Sequence, residues 1–224
     1  QTCALPIFKK QWTVEFCTRM LEGNVNLEWS LPSGTRSEAL DDESLGLLAR
    51  SRCRYLVYAP ESGSPETLRL IKKKIRLDRM KTSIRTAIRN GIVVRTNFII
   101  GFPHETRKNI FETLLTQLQF AWMGVDEAPL YPFQPYPGTE LFDGLVRTQR
   151  LALGDTYFET LASLSTGKLS MPDESFCEHV GRRELHFYRI VGFFLFYFLS
   201  YALRPIRILR TLKNVFFTDK SSTV

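Results

Sequence analysis

The feature that most constrains this chain is a repeated order of events. A short apolar run is followed by a turn of Pro, Gly and polar residues, and the turn by an amphipathic helical pattern. The turns are Leu31-Pro-Ser-Gly-Thr-Arg36, Ala59-Pro-Glu-Ser-Gly-Ser64, Phe98-Ile-Ile-Gly-Phe-Pro-His-Glu-Thr106 and Pro135-Tyr-Pro-Gly-Thr-Glu-Leu141. Strands alternating with helices of this length imply parallel βαβ units. Turns at the carboxyl ends of such strands are where α/β folds place their sites. The 224 residues, 44% of them hydrophobic, suffice for a buried core.

The pattern predicts strands over Val25–Leu31, Arg54–Tyr58, Ile92–Ile100 and Glu127–Phe133. Pro129 and Pro132 mark the last as an edge or bulged strand. Helices are predicted over Lys9–Leu21, from an Asp41 cap to Arg50, and from a Ser64 cap with Pro65 in the first turn. Another begins at an Asp78 cap, and a long one runs from Thr106 to Met123. In the long helix Ile110, Phe111, Leu114, Leu115, Leu118 and Trp122 form the expected buried stripe. The expected fold is α/β, the C-terminal part of a partial (β/α) TIM-like barrel with a helical C-terminal extension.

From Leu151 the alternation stops. Residues 190–203 carry no charge, and Pro205 breaks the helix they belong to. Three readings of this tail stand: a helical cap packed on the barrel, an interfacial membrane helix pair over residues 187–217, or a span. The first seven residues, Gln-Thr-Cys-Ala-Leu-Pro-Ile, are what a widely used sequencing adapter encodes in one frame. Three segments are therefore expected: non-native residues 1–7, barrel over 8–150, and helical extension over 151–224.

The formal net charge is +7. Its clusters, Lys72 to Arg89 and Arg204 to Lys213, read as solvated helix faces, and nucleic acid is not an expected partner. The cysteines, Cys3, Cys17, Cys53 and Cys177, have no metal-ligand spacing. The chain reads as cytoplasmic, with the membrane surface as the alternative location. His104, His179 and His186 form no visible site, and no nucleophile elbow supports a hydrolase.

The four turns, in their order, resemble those of the radical S-adenosylmethionine enzymes, in particular the subgroup that often carries an N-terminal cobalamin-binding domain. That resemblance implies a [4Fe-4S] cluster on a CxxxCxxC loop, which this sequence lacks. The open iron would bind S-adenosylmethionine, whose reductive cleavage yields a deoxyadenosyl radical acting on an unreactive C–H bond of a small-molecule substrate. Methyl transfer, cyclisation and rearrangement are all compatible with it. The fragment alone is expected to be inactive. The rival reading is a non-catalytic membrane-associated scaffold working through its C-terminal helices.

The resemblance also assigns roles. Arg36 pairs with a carboxylate, while Glu61 and Ser62 bond ribose hydroxyls or the cofactor's amino-acid end. Gly63 brings the backbone close to a ligand. Ile99, Gly101 and Phe102 form the adenine wall, and Tyr131 with Phe133 offers backbone groups to the adenine edge. The longer form of that motif begins with Gly where this chain has Asn97. Glu105 is expected to cap the following helix, and a buried Glu61 would need a partner such as Lys74.

Overall fold

The computed structural model describes residues 10–35, 40–151, 153–163, 174–209 and 211. Arg36 and residues 1–7 lie outside the described residues. In chain order the elements are α1 (Lys10–Glu22), β1 (Trp29–Thr35), α2 (Asp42–Arg50), β2 (Cys53–Glu61), α3 (Pro65–Leu70) and α4 (Leu77–Arg89). There follow β3 (Val93–Ile100), α5 (Arg107–Met123), β4 (Leu130–Pro132), α6 (Glu140–Arg147), α7 (Asp155–Ser163) and α8 (Arg182–Leu203). The strands form one sheet in the order β1-β2-β3-β4, and every neighbouring pair is parallel.

The alternation in β3 explains the two unlike faces of this sheet. Val94, Thr96, Phe98 and Ile100 are buried. They lie in a core that includes Leu45 of α2, Ile84 of α4 and Ile110 of α5. Val93, Arg95, Asn97 and Ile99 point the other way and are only half-buried. One face is thus closed by helices, and the opposite face keeps polar side chains and open space, as the wall of an incomplete barrel does.

The sequence placed the first strand too early. Val25 and Leu27 are exposed. The backbone after α1 is used to close that helix, with Gly23 N bonded to Arg19 O and Val25 N to Met20 O. Asp78 is not a cap: Arg76 occupies the N-cap position of α4 and Asp78 lies in its first turn. Asp41 caps α2 where the sequence put it, and Ser64 occupies the N-cap position of α3 without a side-chain capping bond.

The largest departure concerns α5. Phe111, Leu115 and Trp122, expected inside, are exposed. The helix instead buries Asn109, Thr113, Thr116 and Gln117 together with Ile110, Leu114 and Phe120. The cause is the turn after β2. Thr113 Oγ1 sits 2.9 Å from Ser62 Oγ and accepts from Gly63 N at 3.0 Å. Asn109 Nδ2 donates to Ser64 Oγ at 3.0 Å, and Gln117 Nε2 to Ala128 O at 2.6 Å. Paired polar groups can be buried without a large desolvation loss, so periodicity of apolar residues alone misplaced the inner face.

β4 ends the sheet. Pro129 and Pro132 weaken it as a pairing edge. Arg189 of α8 donates to Leu130 O at 3.0 Å, and Gly192 lets α8 approach Leu114, Gln117 and Leu130 closely. The described part of the tail therefore packs on α5 and β4.

A Cβ added at Gly63 would lie 2.6 Å from the Glu112 carbonyl, which is backbone and cannot move aside cheaply. Gly63→Ala should lower unfolding stability by about 1–3 kcal/mol in urea titration. Thr116→Ala should fail to restore it, because the helix backbone remains in the way.

Candidate functional site

The exits of β2, β3 and β4 open on one cavity of about 710 Å³. Its size suits a nucleoside-scale ligand. The apolar wall is made by Ile71, Ile99, Phe102, Phe133, Leu141 and Leu161. These side chains belong to a second hydrophobic cluster, in which Phe102 and Phe133 lie 4.9 Å apart between ring centroids. The polar lining includes Glu61 at the end of β2, Asn97 and Tyr131 on the strands, Gln134, Tyr136 and Thr139 beyond β4, and the Lys72–Glu140 pair at the rim.

Glu61 adopts φ +64, a left-handed conformation uncommon for a residue with a Cβ. It ends the strand abruptly, and the side chain turns to the cavity. Its Oε1 accepts from Lys73 Nζ at 2.8 Å. The partner is thus Lys73 and not Lys74. The pair is half-buried, which fixes the carboxylate while leaving lone pairs for a ligand. The rim pair, Lys72 with Glu140, spans the mouth from the end of α3 to the start of α6 and is exposed. Its contribution to stability is small.

The turn after β3 is organised by Glu105. Its carboxylate accepts from Gly101 N at 2.7 Å, Phe102 N at 3.1 Å and Thr67 Oγ1 at 3.1 Å. Glu105 is therefore not the helix cap. Thr106 is, in a capping box with Asn109. Gly101 has φ +88, and a Cβ there would strike Leu185 of α8. Burial pushes the Glu105 carboxyl up to about 7, against the pull of its N–H and hydroxyl donors. His104 is half-buried beside the Phe102 ring, and burial lowers its pKa.

Of the residues singled out from sequence, Glu61, Ile99, Phe102 and Tyr131 line the cavity. Ser62, Gly63 and Gly101 do not. Ser62 is fully buried against α5, Gly63 abuts the α5 backbone, and Gly101 faces α8. They shape the walls without meeting the space inside. Asn97, Gln134 and the Arg95 beneath them were not singled out. The signal for Arg95 was present: a charged residue inside a β-branched strand, two positions before Asn97, on the face that alternation assigns to the barrel interior.

Arg95 holds Asn97, Glu127 and Tyr131, and pairs with Tyr55. Nε donates to Asn97 Oδ1 at 3.0 Å, Nη1 to Glu127 Oε2 at 3.2 Å, and Nη2 to the Tyr131 hydroxyl. Among the described residues no group of three or more His, Cys, Asp or Glu side chains is arranged to hold a metal. Cys17, Cys53 and Cys177 are buried free thiols, and burial pushes Cys53 up to about 12. Such thiols do not fit a cluster, which needs exposed thiolates converging on one point.

A parallel sheet closed by helices on one face, with a cavity at its carboxyl edge, defines a partial α/β barrel with its site at the open mouth. Residues 21–116 match the Radical SAM superfamily model. An uncharacterized methyltransferase of Pyrococcus horikoshii is 27% identical over 60% of the chain and 28% of its own length. The cytidylyl-2-hydroxyethylphosphonate methyltransferase of Streptomyces wedmorensis is 32% identical over 55% of the chain and 24% of its own. The chain thus spans about a quarter of the length of these curated relatives. The fold is similar to that of the radical S-adenosylmethionine methyltransferase TsrM from Kitasatospora setae, solved with cobalamin and a [4Fe-4S] cluster. That match has TM-score 0.52 and 17% identity, covering 62% of this chain and 27% of that one.

Glu105 yields a pH prediction. Its folded pKa, about 7, lies above its ordinary 4.5, so folding favours the protonated form. Its contribution to stability is complete below about pH 4.5 and is lost as pH rises through about 7. Glu105→Gln keeps the acceptors for both backbone N–H groups and has no proton to lose. Thermal unfolding between about pH 5 and pH 8 should show a smaller decline in this variant than in the parent chain.

Proposed function

We propose that this chain supplies the adenosine-binding part of a radical S-adenosylmethionine enzyme, with residues 8–150 as its share of the barrel and 151–224 as a helical extension. The observation that carries this reading is the cavity itself, with a flat apolar wall of Ile99 and Phe102, a fixed carboxylate at Glu61, and polar strand residues at its floor. Adenine takes the apolar wall, and Glu61 accepts from ribose hydroxyls. In the intact protein, a [4Fe-4S] cluster would supply the electron that cleaves S-adenosylmethionine. The described thiols do not fit that cluster, so its ligands lie outside them. Methyltransferase relatives and the cobalamin-bound fold neighbour support methyl transfer to a small molecule, with a cobalamin-binding domain as the companion. Free buried thiols support a reducing, cytoplasmic setting.

Two measurements test this. 5′-Deoxyadenosine should bind the chain in isothermal titration, and Phe102→Ala should weaken binding about tenfold by removing part of the apolar wall. Binding unchanged by Phe102→Ala would contradict the placement of adenine. After iron–sulfur reconstitution, electron paramagnetic resonance of the reduced chain should show no [4Fe-4S] signal that shifts on adding S-adenosylmethionine. A clear shift would show that this chain holds the cluster.

A second reading concerns the tail. α8 is long and apolar enough to cross a membrane by length and composition alone. Phe187, Phe194 and Phe198 lie along one side of it and are exposed by 60%, 64% and 74%. With basic Arg182 and Arg183 at the start of the helix, this side suits the interface of an anionic bilayer. The chain should float with phosphatidylserine vesicles, and replacing Phe194 and Phe198 by Ser should abolish flotation. Equal recovery of both forms in the vesicle fraction would reject the surface.

A further inference from the structure

Arginine has only donors, so whatever faces its nitrogens must accept. Arg95 commits all three of its nitrogens, to Asn97, Glu127 and Tyr131, and Tyr55 pairs with it as well. Glu127, nearly buried, anchors the guanidinium from behind. The other two partners line the cavity floor. Because Asn97 must turn Oδ1 to Arg95, its amide NH₂ is presented to the cavity. Because the Tyr131 oxygen accepts from Arg95, its hydroxyl hydrogen is directed away from the guanidinium and is left to donate to another group. One guanidinium thereby fixes the hydrogen-bond polarity of two floor residues that could each otherwise donate or accept.

We propose that Arg95 is a positioning residue that sets Asn97 and Tyr131 as donors, so that the floor selects a ligand group with a lone pair and no N–H at that point. This rests on the adenosine reading of the cavity and sharpens it. Of the groups on adenine, the ring nitrogens N1, N3 and N7 meet that requirement, and the exocyclic amine does not. A ligand that covers these half-buried donors without offering the acceptor would leave them unpaired, which is a strong form of discrimination. Position 97 is central: a glycine there would offer no side-chain donor.

The test compares 5′-deoxyadenosine with its 1-deaza, 3-deaza and 7-deaza analogues, each of which replaces one ring nitrogen by C–H. Affinities for the chain are read by saturation-transfer-difference titration. At least one analogue should bind roughly tenfold more weakly than the parent. In Arg95→Met, Asn97 and Tyr131 can reorient, and that ratio should fall to about threefold or less. Arg95→Lys should do the same, because one ammonium cannot hold both partners in place, and it keeps the charge should Arg95→Met fail to fold. A purely structural role would change all four affinities together and leave the ratio intact. A ratio unchanged in the folded variant, or four equal affinities in the parent chain, overturns this inference alone. Absence of binding by any of the four overturns the adenosine reading and this inference with it.

Discussion

A single buried carboxylate, Glu105, joins the parts of this structure that matter for the cavity. It takes the two backbone N–H groups at the exit of β3 and the Thr67 hydroxyl of α3. Its own carbonyl accepts from Cys177 Sγ at 3.0 Å, tying in the segment before α8. The turn it holds aims Phe102 at Phe133 and leaves Gly101 in a left-handed conformation with α8 against it. Burial favours the protonated form, and the surrounding donors favour the charged one.

Around that junction the sheet has a division of labour. The helix-covered face of β3 is a continuous apolar core, while the opposite face carries Arg95, Asn97 and Ile99. The pleat alone produces both faces from one strand. Arg95 is costly to place in a sheet, and its three hydrogen bonds offset that cost. The rows of the inner face pass from a polar floor to an apolar wall at the mouth, the order expected where one end of a ligand is read by hydrogen bonds and the rest by shape.

Much of this was legible in the sequence, and the failures have physical causes. The strand–turn–helix order gave the parallel sheet, and Asp41, Ser64 and Pro65 marked helix starts, because caps are local chemistry. Glu61, Ile99, Phe102 and Tyr131 were singled out through the turn motifs that carry the resemblance, and all four line the cavity. The inner face of α5 was misjudged because two of its polar residues, Thr113 and Asn109, find partners more than forty positions away in the turn at Ser62, Gly63 and Ser64, and Gln117 bonds the Ala128 carbonyl. Gly63 and Gly101 were read as places for a ligand, whereas the groups packed against them are α5 and α8. Asn97 looked like a departure from a motif, and only the placement of Arg95 shows what the amide can do.

Adenosine is proposed to occupy the cavity between β2, β3 and β4. Methyl NMR of the chain labelled at isoleucine and titrated with S-adenosylhomocysteine tests this. Shifts are expected at Ile71 and Ile99, which line the cavity, with Ile84 and Ile110, fully buried in the core, unmoved. Shifts at exposed Ile206 and Ile208 with Ile71 and Ile99 unmoved would contradict it.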